Sequence, residues 1–536
     1  MHEQPSSSLA SLLIGHDDAP ALRDGPDGLS RAGLRQGAAQ AARGLQQLGL
    51  RRGDAVAVWL PNGAAWLQLL FAAAQLGVLV VPVSTRYKAP EIAHLLTVSR
   101  ARLLIYASRF LDQDSAPVAQ GLLAKLPSLE QVLAVHDPFS LVVFAEHGPA
   151  AGAEHANHTD HAEHTEQDEH TDPAGQTSQT SDLLCCFSTS GTTGQPKLAA
   201  HDQASIARHA HQVARALAIH PGDAMLCALP LFGVFGFMTA LAALAGGASC
   251  VLMPVFDAAA AALAVAQHRI SHAVGADAMF DPILQVAGAD LSSLRHLVMA
   301  DFAGLTLRVA QQADALGITC SGTYGSSEVF SLVSLQDRQA PVEQRARAGG
   351  RPLDPLTSVR VVDPQTGQPL ADGEAGELQL RGPNVLAQYL NNPQATAQAM
   401  TADGWFRSGD LATTQGQHFH FLARMGDSLR LRGFLVNPAE IEQALMRHPA
   451  VALAQVVGVA VPGLGDQAVA FVVLSGADPG EAELRAFCLH NMASYKVPQR
   501  VVVLAAFPTI DGPNGVKIQK RVLRQRASEL LAAVVR

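Results

Sequence analysis

The most informative stretch of the chain is Ser188–Lys197, STSGTTGQPK, which follows the apolar segment LLCCF and precedes a predicted helix. Its serine and threonine side chains supply hydroxyl donors, while Gly191 and Gly194 let the backbone bend and approach a ligand closely. The common nucleotide loop ends in Gly-Lys-Ser/Thr, whereas here Lys197 follows a proline and precedes a leucine. Taken alone, such a loop is typical of a polar turn, but it also suits the mobile pyrophosphate end of ATP.

The composition of the whole chain limits the classes of protein to consider. The chain has 536 residues, enough for two or more domains, and 48% of them are hydrophobic, with a mean hydropathy of +0.14. The formal net charge is −9 at pH 7. Because nucleic-acid binding needs a basic surface, this charge argues against nucleic acid as a partner.

Three features predict a cytoplasmic protein without a transmembrane segment. The six cysteines show no metal-type spacing, and two of them are adjacent, which is typical of buried thiols in a reducing compartment. No basic region precedes the first apolar residues, so a signal peptide is not expected. The longest apolar run, LLFAAAQLGVLVVPV from Leu69, is short and interrupted by Gly and Pro, which favours a helix that runs into a buried strand.

The order of helical and strand-like patterns predicts an α/β fold class. Strands alternate with helices along the first 150 residues and again after the quoted loop, as in βαβ units around a mostly parallel sheet. Beyond Arg351, the short segments SVRVVD, GELQLRG and HFHFLAR indicate a β-rich subdomain. From Asp427 the pattern is mixed again, and the remaining stretch of about 110 residues suffices for a small α+β domain.

The segment Ala153–Asp182 departs from this pattern. It is low in complexity, nearly free of large apolar residues, and rich in His, Thr and acidic residues. Its composition predicts a solvated insertion that cannot bury enough surface to fold. The alternative is a zinc site, because four histidines recur at intervals of three residues, at His155, His158, His161 and His164.

Several further motifs accompany the opening loop in a fixed order. They are TYGSSE (323–328), GWFRSGDLA (404–412), ARMGDSLRLRGFLVNPAEIE (423–442), YKVPQRV (495–501) and NGVKIQK (514–520). Together with the loop, this series resembles the adenylate-forming acyl-CoA synthetases, whose relatives include peptide-synthetase adenylation domains and luciferases. The resemblance covers nearly the whole chain except the His-rich insertion.

The resemblance implies a two-step reaction. A carboxylate attacks the α-phosphate of ATP, with Mg²⁺ bound, to give an acyl-adenylate and pyrophosphate, and coenzyme A then displaces AMP to give the thioester. It also implies a large N-terminal domain, residues 1–425, and a mobile C-terminal domain, residues 427–536. The hinge between the two is expected near Gly426, where the family usually has Asp or Lys.

The resemblance also implies roles for individual residues. Tyr324 would stack on adenine, and Ser327 takes the place of the family's threonine at the α-phosphate. Glu328 would bind Mg²⁺, a hard cation that prefers carboxylate oxygen. The residues expected to bind the β- and γ-phosphates are Thr189, Ser190, Gly191, Thr192, Thr193, Gly194 and Lys197.

The remaining roles fall on the later motifs. Asp410 would accept hydrogen bonds from the ribose hydroxyls, and Arg424 would contact the ribose side of the nucleotide. Lys517 matches the C-terminal lysine that supports adenylation. However, Val516 intervenes where the family has glycine directly before the lysine, so Lys520 is an alternative for this role.

Two departures from the family pattern concern the substrate. The segment LPLFGVFG has Gly233 where the family commonly has His, and ADFAG (300–304) replaces a Gly-rich adenine segment. PLFGVFGF offers no aspartate to pair with an amino-acid ammonium, so an uncharged aliphatic or aromatic acid is preferred. The expected acyl pocket consists of Gly233, Val234, Phe235, Ala300 and Phe302.

Other functional hypotheses remain open on the sequence. The departures are compatible with a weakly active homologue that serves as a binding or metal-buffering protein, and the thiol acceptor could differ from coenzyme A. The expected partners are small molecules, namely the carboxylic acid, ATP and coenzyme A. Association as a homodimer is compatible with these hypotheses.

Overall fold

The computed structural model describes residues 8–15, 17–23, 28–111, 113–140, 178–189, 196–425, 429–431, 434–436, 438–461, 465–492, 494–512 and 515–532. Its helices are α1 (Arg31–Gln47), α2 (Ala64–Leu76), α3 (Ala89–Ser99), α4 (Ala116–Leu123), α5 (Gln203–Leu217), α6 (Val234–Ala245), α7 (Ala258–His268), α8 (Asp277–Leu284), α9 (Thr306–Ala315), α10 (Val342–Arg345), α11 (Pro393–Ala399), α12 (Pro438–Met446), α13 (Glu481–Asn491) and α14 (Lys520–Ala532). Short 3₁₀ segments occur at Leu9–Leu13, Ser327–Val329 and Ser494–Lys496.

The strands belong to two large sheets and several small ones. They are β1 (Pro20–Leu22), β2 (Leu29–Ser30), β3 (Ala55–Trp59), β4 (Leu79–Pro82), β5 (Leu103–Ala107), β6 (Arg109–Phe110), β7 (Gln113–Asp114), β8 (Gln131–Val135), β9 (Leu183–Thr189), β10 (Lys197–Asp202), β11 (Ala224–Cys227), β12 (Ser249–Leu252), β13 (His272–Ala276), β14 (His296–Ala300), β15 (Thr319–Tyr324), β16 (Ser334–Leu335), β17 (Gly349–Pro352), β18 (Ser358–Val362), β19 (Gly376–Arg381), β20 (Gln388–Tyr389), β21 (Phe406–Gln415), β22 (His418–Arg424), β23 (Leu429–Leu431), β24 (Phe434–Val436), β25 (Val451–Val461), β26 (Gly465–Leu474), β27 (Arg500–Val503), β28 (Thr509–Gly512) and β29 (Gly515–Ile518).

The first large sheet follows directly from the apolar run identified in the sequence. Its strand order is β20-β10-β9-β4-β3-β5-β8, and the strands from β9 to β8 run parallel. The run from Leu69 forms the end of α2 and then β4, both buried. Gly77 ends α2 with φ +68°, a left-handed conformation that favours glycine, and so turns the chain into the sheet. The helix-then-strand prediction is confirmed.

The second large sheet joins the α/β part to the β-rich subdomain. Its order is β18-β19-β21-β22-β17-β16-β15-β14-β13-β11-β12-β1-β2. The strands from β15 to β1 are parallel, while those from β16 to β18 are antiparallel. In parallel α/β sheets, ligands bind beyond the carboxyl ends of the strands. The ends of β14 and β15, where ADFAG and TYGSSE lie, are therefore the expected place for a site.

The core has alternating layers of helix and sheet. Helices α1, α2, α5 and α6 pack between the two large sheets in one buried cluster. Helices α7, α8 and α9 cover the outer face of the second sheet, and α3 and α4 cover the outer face of the first. The predicted α/β class is confirmed. Among the described residues, no helix combines the length and apolar character needed to cross a membrane.

The C-terminal residues form a small mixed unit. Strands β25, β26 and β27 make a sheet with α12 and α13 packed on one face and α14 on the other. The mixed pattern predicted from Asp427 onward is present as α12, β25 and β26. Gly426, the predicted hinge, lies outside the described residues.

The sequence did not predict the strand that directly follows the opening loop. The opening loop connects two antiparallel strands, because Lys197–Asp202 forms β10, which pairs with β9 in the register Lys197↔Thr189. The helix α5 follows only after this hairpin, where Asp202 caps it by accepting a hydrogen bond from the Ser205 amide at 2.7 Å. The inner residues of KLAAHD are buried, and pairing with β9 satisfies their backbone polar groups.

The last residues of the His-rich segment are attached to the N-terminal domain. Asp182 accepts hydrogen bonds from the Arg52 guanidinium at 2.6–2.9 Å, and both side chains are mostly buried. The Ser178 hydroxyl donates to the carbonyl of Ala74 at 2.7 Å. The histidines of the segment lie outside the described residues, so residues 178–182 are the part of it with known contacts.

We expect a deletion of Ala153–Gln176 to leave the melting temperature nearly unchanged, because solvated insertions contribute few contacts. Asp182→Ala should instead lower the free energy of unfolding by roughly 1–3 kcal/mol, since it leaves the Arg52 guanidinium without its carboxylate. Thermal melts of both variants test this pair of expectations. A deletion variant that melts far below the full chain would show that residues 153–176 pack against the fold.

Candidate active site

The opening loop begins and ends at the junction of β9 and β10. Thr189 and Lys197 face each other in the hairpin register, and the Thr189 hydroxyl oxygen is buried with no hydrogen-bond partner among the described residues. Buried hydroxyls are normally paired, so Thr189 is available to a bound group. Of the predicted phosphate-binding residues, Ser190, Gly191, Thr192, Thr193 and Gly194 lie outside the described residues.

Tyr324, Asp410 and Arg424 form a connected cluster at the end of β15. The Tyr324 hydroxyl donates to Asp410 Oδ2 at 2.5 Å, and Arg424 Nη1 lies 3.2 Å from Asp410 Oδ1. Asp410 and Arg424 are paired across β21 and β22. Burial, followed by the negative charge of Asp410, raises the pKa of Tyr324 well above its usual value, so the phenol stays protonated. Tyr324 and Asp410, predicted from separate motifs, therefore share one hydrogen bond.

Glu328 and Lys197 contact the same tyrosine. The Tyr389 hydroxyl donates to Glu328 Oε1 at 3.0 Å, and Lys197 Nζ lies 4.4 Å from the centroid of the Tyr389 ring. Burial and the Glu328 charge raise the pKa of Tyr389, so its hydroxyl remains a donor. The positive charge of Arg424 acts in the opposite direction on the same pKa.

The backbone that carries Ser327 and Glu328 is strained. Three consecutive non-glycine residues just after Glu328 have left-handed φ angles: Phe330 at 59°, Ser331 at 58° and Leu332 at 42°. Each such residue costs on the order of 1–3 kcal/mol and persists only where its surroundings hold it in place. The turn therefore needs strong external contacts.

Four donors from other elements supply these contacts. His201 Nε2 donates to the carbonyl of Ser327 at 2.8 Å, and the Leu386 amide donates to that of Glu328 at 2.7 Å. Asn384 Nδ2 donates to the carbonyl of Val329 at 3.0 Å, and His209 Nε2 to that of Ser331 at 2.8 Å. The carbonyls that accept these bonds belong to Ser327, Glu328, Val329 and Ser331, and we call them the held carbonyls.

Lys517 reaches the site from the C-terminal domain. Its Nζ lies 5.4 Å from the centroid of the Phe302 ring. Burial, followed by the positive charge of Arg424, lowers the pKa of Lys517. The ADFAG loop that carries Phe302 is fixed by the buried Asp277, which accepts from the amides of Phe302 and Ala303 at 3.1 Å and of Leu305 at 2.7 Å.

The structure separates the predicted acyl-pocket residues into two groups. Gly233 precedes α6 as its N-cap, and Val234 and Phe235 begin that helix, buried in the core between the sheets. Ala300, at the end of β14, packs against the same core. Phe302 instead faces Lys517, so it belongs to the boundary between the domains.

The residues that hold the turn and the Glu328 carboxylate in place were not predicted from the sequence. His201 lies in the segment KLAAHD, and His209 lies in the helix α5 that follows it. Asn384 and Tyr389 both lie in the segment PNVLAQYL. A lone buried histidine or tyrosine is usual in a protein core, and only the fold shows that these side chains contact the segment from Ser327 to Ser331. The one available signal was the series of histidines that follows the opening loop.

These contacts gather the motif residues beyond the carboxyl ends of β14 and β15, where α/β sheets bind ligands, and Lys517 approaches the same region from the C-terminal unit. Comparison with known proteins agrees. The AMP-binding enzyme family profile matches residues 14–390, and the AMP-binding enzyme C-terminal domain profile matches residues 440–511.

Individual relatives extend this result over the whole chain. A feruloyl-CoA synthase of an Amycolatopsis species is 32% identical over 514 residues, which cover 95% of this chain and 96% of the relative. The mitochondrial medium-chain acyl-CoA ligase of Bos taurus is 28% identical over 535 residues, covering 94% and 84%. The chain therefore belongs to the AMP-binding enzyme family.

Solved structures agree on the fold. ATP-bound MatB from Rhodopseudomonas palustris matches with a TM-score of 0.83 at 24% identity, covering 98% of this chain and 99% of that one. The O-succinylbenzoate coenzyme A synthetase of Bacillus subtilis, in complex with AMP, matches with a TM-score of 0.77 at 22% identity, covering 97% and 98%. Both confirm the predicted architecture.

The family membership gives the activity. The chain is an AMP-forming acid–thiol ligase, an acyl-CoA synthetase, which uses ATP to convert a carboxylic acid to an acyl-adenylate and then transfers the acyl group to coenzyme A. The adenylate is needed because a bare carboxylate has no useful leaving group, whereas a mixed anhydride does. Nothing in the comparisons favours a metal-buffering role.

The two buried histidines give the turn a specific pH dependence. Burial lowers the pKa of both His201 and His209 to about 4, whereas in the unfolded chain both titrate near 6.5. Between these values the unfolded state binds more protons, so stability is complete above pH 6.5 and falls as the pH drops towards 4.

We expect His201→Gln to lose less melting temperature between pH 7 and pH 5 than the wild type, because glutamine keeps an N–H donor but does not titrate. Melting curves across this range measure the difference. The exposed His136, changed to Gln, is the matched control and should follow the wild-type curve. Parallel curves for His201→Gln and the wild type would contradict the assignment of His201 as a buried neutral ring.

Proposed function

We propose that the described site binds Mg·ATP and that its residues act as the family resemblance implies. The supporting observation is two series of contacts: Lys197 to Tyr389 to Glu328 in one, and Tyr324 to Asp410 to Arg424 in the other. Thr189 and Lys197 would contact the terminal phosphates, with Ser190–Gly194 between them. Tyr324 and Asp410 would contact adenosine, and Arg424 its ribose side.

We assign Mg²⁺ to Glu328. The residue fits the ion, because its carboxylate is partly exposed and only one oxygen accepts the Tyr389 hydroxyl. Mg²⁺ prefers carboxylate oxygen and usually retains several waters, so a single protein carboxylate with phosphate oxygens is an ordinary site. When bound, the ion would neutralise phosphate charge. Ser327, adjacent to Glu328, would contact the α-phosphate.

Lys517 is the proposed catalytic lysine of the first step. Negative charge accumulates between the attacking carboxylate and the α-phosphate, and an ammonium in a partly buried position stabilises it strongly. Lys517 lies beside Phe302 and within electrostatic reach of Arg424. Lys520, the alternative from the sequence, instead lies 3.8 Å from Glu442 of its own domain.

The second step is proposed to use a different domain arrangement. Rotation of residues 427–536 about a hinge near Gly426 would withdraw Lys517 and admit coenzyme A, as hinged closures do in other enzymes. Lys517 would then serve adenylation alone.

We also propose that the protein is located in the cytoplasm. The support is that its six cysteines are all free and buried, as is usual in a reducing compartment. Association as a homodimer stays a prediction.

The proposed substrate is an uncharged aliphatic or aromatic carboxylic acid. Val234, Phe235 and Ala300 supply an apolar wall without a charged group, and an apolar pocket accepts uncharged chains best. Two relatives are named for acids of this kind, a feruloyl-CoA synthase and a medium-chain acyl-CoA ligase.

Lys517→Ala is expected to lower the adenylation rate by ~10²–10³ while thioester formation from supplied acyl-adenylate is preserved. The two half-reactions are measured separately, by ATP–pyrophosphate exchange and by acyl transfer to coenzyme A. Lys520→Ala is the control, since its ammonium has a partner in the C-terminal domain. If Lys520→Ala shows the selective first-step defect instead, Lys517 is not the catalytic lysine.

ATP–pyrophosphate exchange with a panel of acids tests the substrate class. We expect exchange with medium-chain aliphatic or aryl acids and none with amino acids, because no carboxylate is offered to an ammonium. Gly233→Val should reduce exchange with the larger acids first, since a side chain at this N-cap would occupy buried space beside α6. A uniform loss of pyrophosphate exchange across acids of all sizes would show that Gly233 does not line the pocket.

A further inference from the structure

Tyr389 contacts two charged side chains that have separate proposed roles. Its hydroxyl donates to Glu328 Oε1 at 3.0 Å, and its ring lies 4.4 Å from Lys197 Nζ. A lysine ammonium over an aromatic face is attracted by the ring, and a hydroxyl bonded to a carboxylate is among the stronger neutral donors. One side chain therefore binds an anion at its edge and a cation on its face.

The tyrosine itself is held firmly. Its side chain is 5% exposed and packs in the core of the β-rich subdomain. Its backbone pairs with Ala199 of β10, two residues after Lys197. The Tyr389 amide also donates to Thr396 Oγ1 at 3.0 Å. The ring is thus fixed relative to both large sheets, which is what a positioning group needs.

Two opposite charges contact Tyr389 at different points. Lys197 lies against its ring and Glu328 accepts from its hydroxyl, and among the described side chains these two residues form no ion pair with each other. A lysine and a glutamate with nothing between them would attract strongly in a partly buried place. A direct ion pair between Lys197 and Glu328 would leave the ammonium less available to the phosphates and the carboxylate less available to the metal.

We propose that Tyr389 is a positioning residue of the adenylation site: it holds the Glu328 carboxylate through its hydroxyl and the Lys197 ammonium through its ring, and so keeps them apart and available to Mg·ATP. The inference rests on the proposed roles of Glu328 and Lys197. The hydroxyl serves the metal-binding carboxylate, while the ring serves the phosphate-binding lysine.

These two parts of the side chain can be removed one at a time. Tyr389→Phe removes only the hydroxyl, so it should weaken Mg·ATP binding about tenfold and leave the binding of metal-free ATP nearly unchanged. Tyr389→Leu removes the ring as well and allows Lys197 and Glu328 to pair directly. It should therefore weaken the binding of both forms of ATP.

Isothermal titration calorimetry of the full chain measures both affinities, with ATP in EDTA and with ATP in excess Mg²⁺, in the absence of any acid. Tyr106→Phe is the matched control, because it removes a buried tyrosine hydroxyl from β5 in another part of the core. Thermal melts of each variant report on folding. Kinetically, Tyr389→Phe should raise KM for Mg·ATP while kcat at saturating Mg·ATP stays within about threefold.

Equal Mg·ATP affinity in Tyr389→Phe and the wild type would overturn the proposal, as would an equal loss for metal-free and metal-bound ATP in that variant. The same holds if the wild type binds no Mg·ATP. The proposed function fails separately, when the wild type exchanges pyrophosphate with no acid of the panel. The calorimetric comparison of Tyr389→Phe with the wild type still decides the role of Tyr389 in that case.

Discussion

The candidate active site depends on the turn that follows Glu328. The left-handed run from Phe330 to Leu332 opposes the ordinary preference of the backbone, so the turn is stable only while the held carbonyls keep their donors. Those donors come from β10, α5 and the segment before β20, which belong to different layers of the fold. Precise placement of Ser327 and Glu328 is thus a property of the packed domain rather than of the TYGSSE sequence.

The sequence predicted the fold class because it follows from local patterns, and it singled out the candidate site residues by their motifs. The helix–Gly77–strand transition and the β25–β26 pair are visible as apolar runs punctuated by turns. The motif residues Tyr324, Asp410 and Lys517 were found from the order of the motifs. The structure adds that the first two share a hydrogen bond and that the third approaches Phe302 from another domain.

The structural features that were not predicted from the sequence arise from contacts between segments that are far apart in the chain. The strand at Lys197–Asp202 was not predicted, because six residues with two alanines carry no clear period, and pairing with β9 decides their conformation. Tyr389 and His201 looked like ordinary core residues. Their importance depends on which carbonyl or carboxylate they meet, and only tertiary structure brings those groups together.

The spacing of these contacts along the chain has a consequence for folding. The two histidine bonds to the turn close loops of 126 and 122 residues, and the bonds from Asn384 and Tyr389 span 55 and 61 residues. Contacts of such long range form slowly, since loop closure must precede the stabilisation that they provide. The turn after Glu328 therefore gains these contacts only when segments far apart in the chain have come together. A partly folded molecule without them would lack an ordered position for the Ser327 and Glu328 side chains.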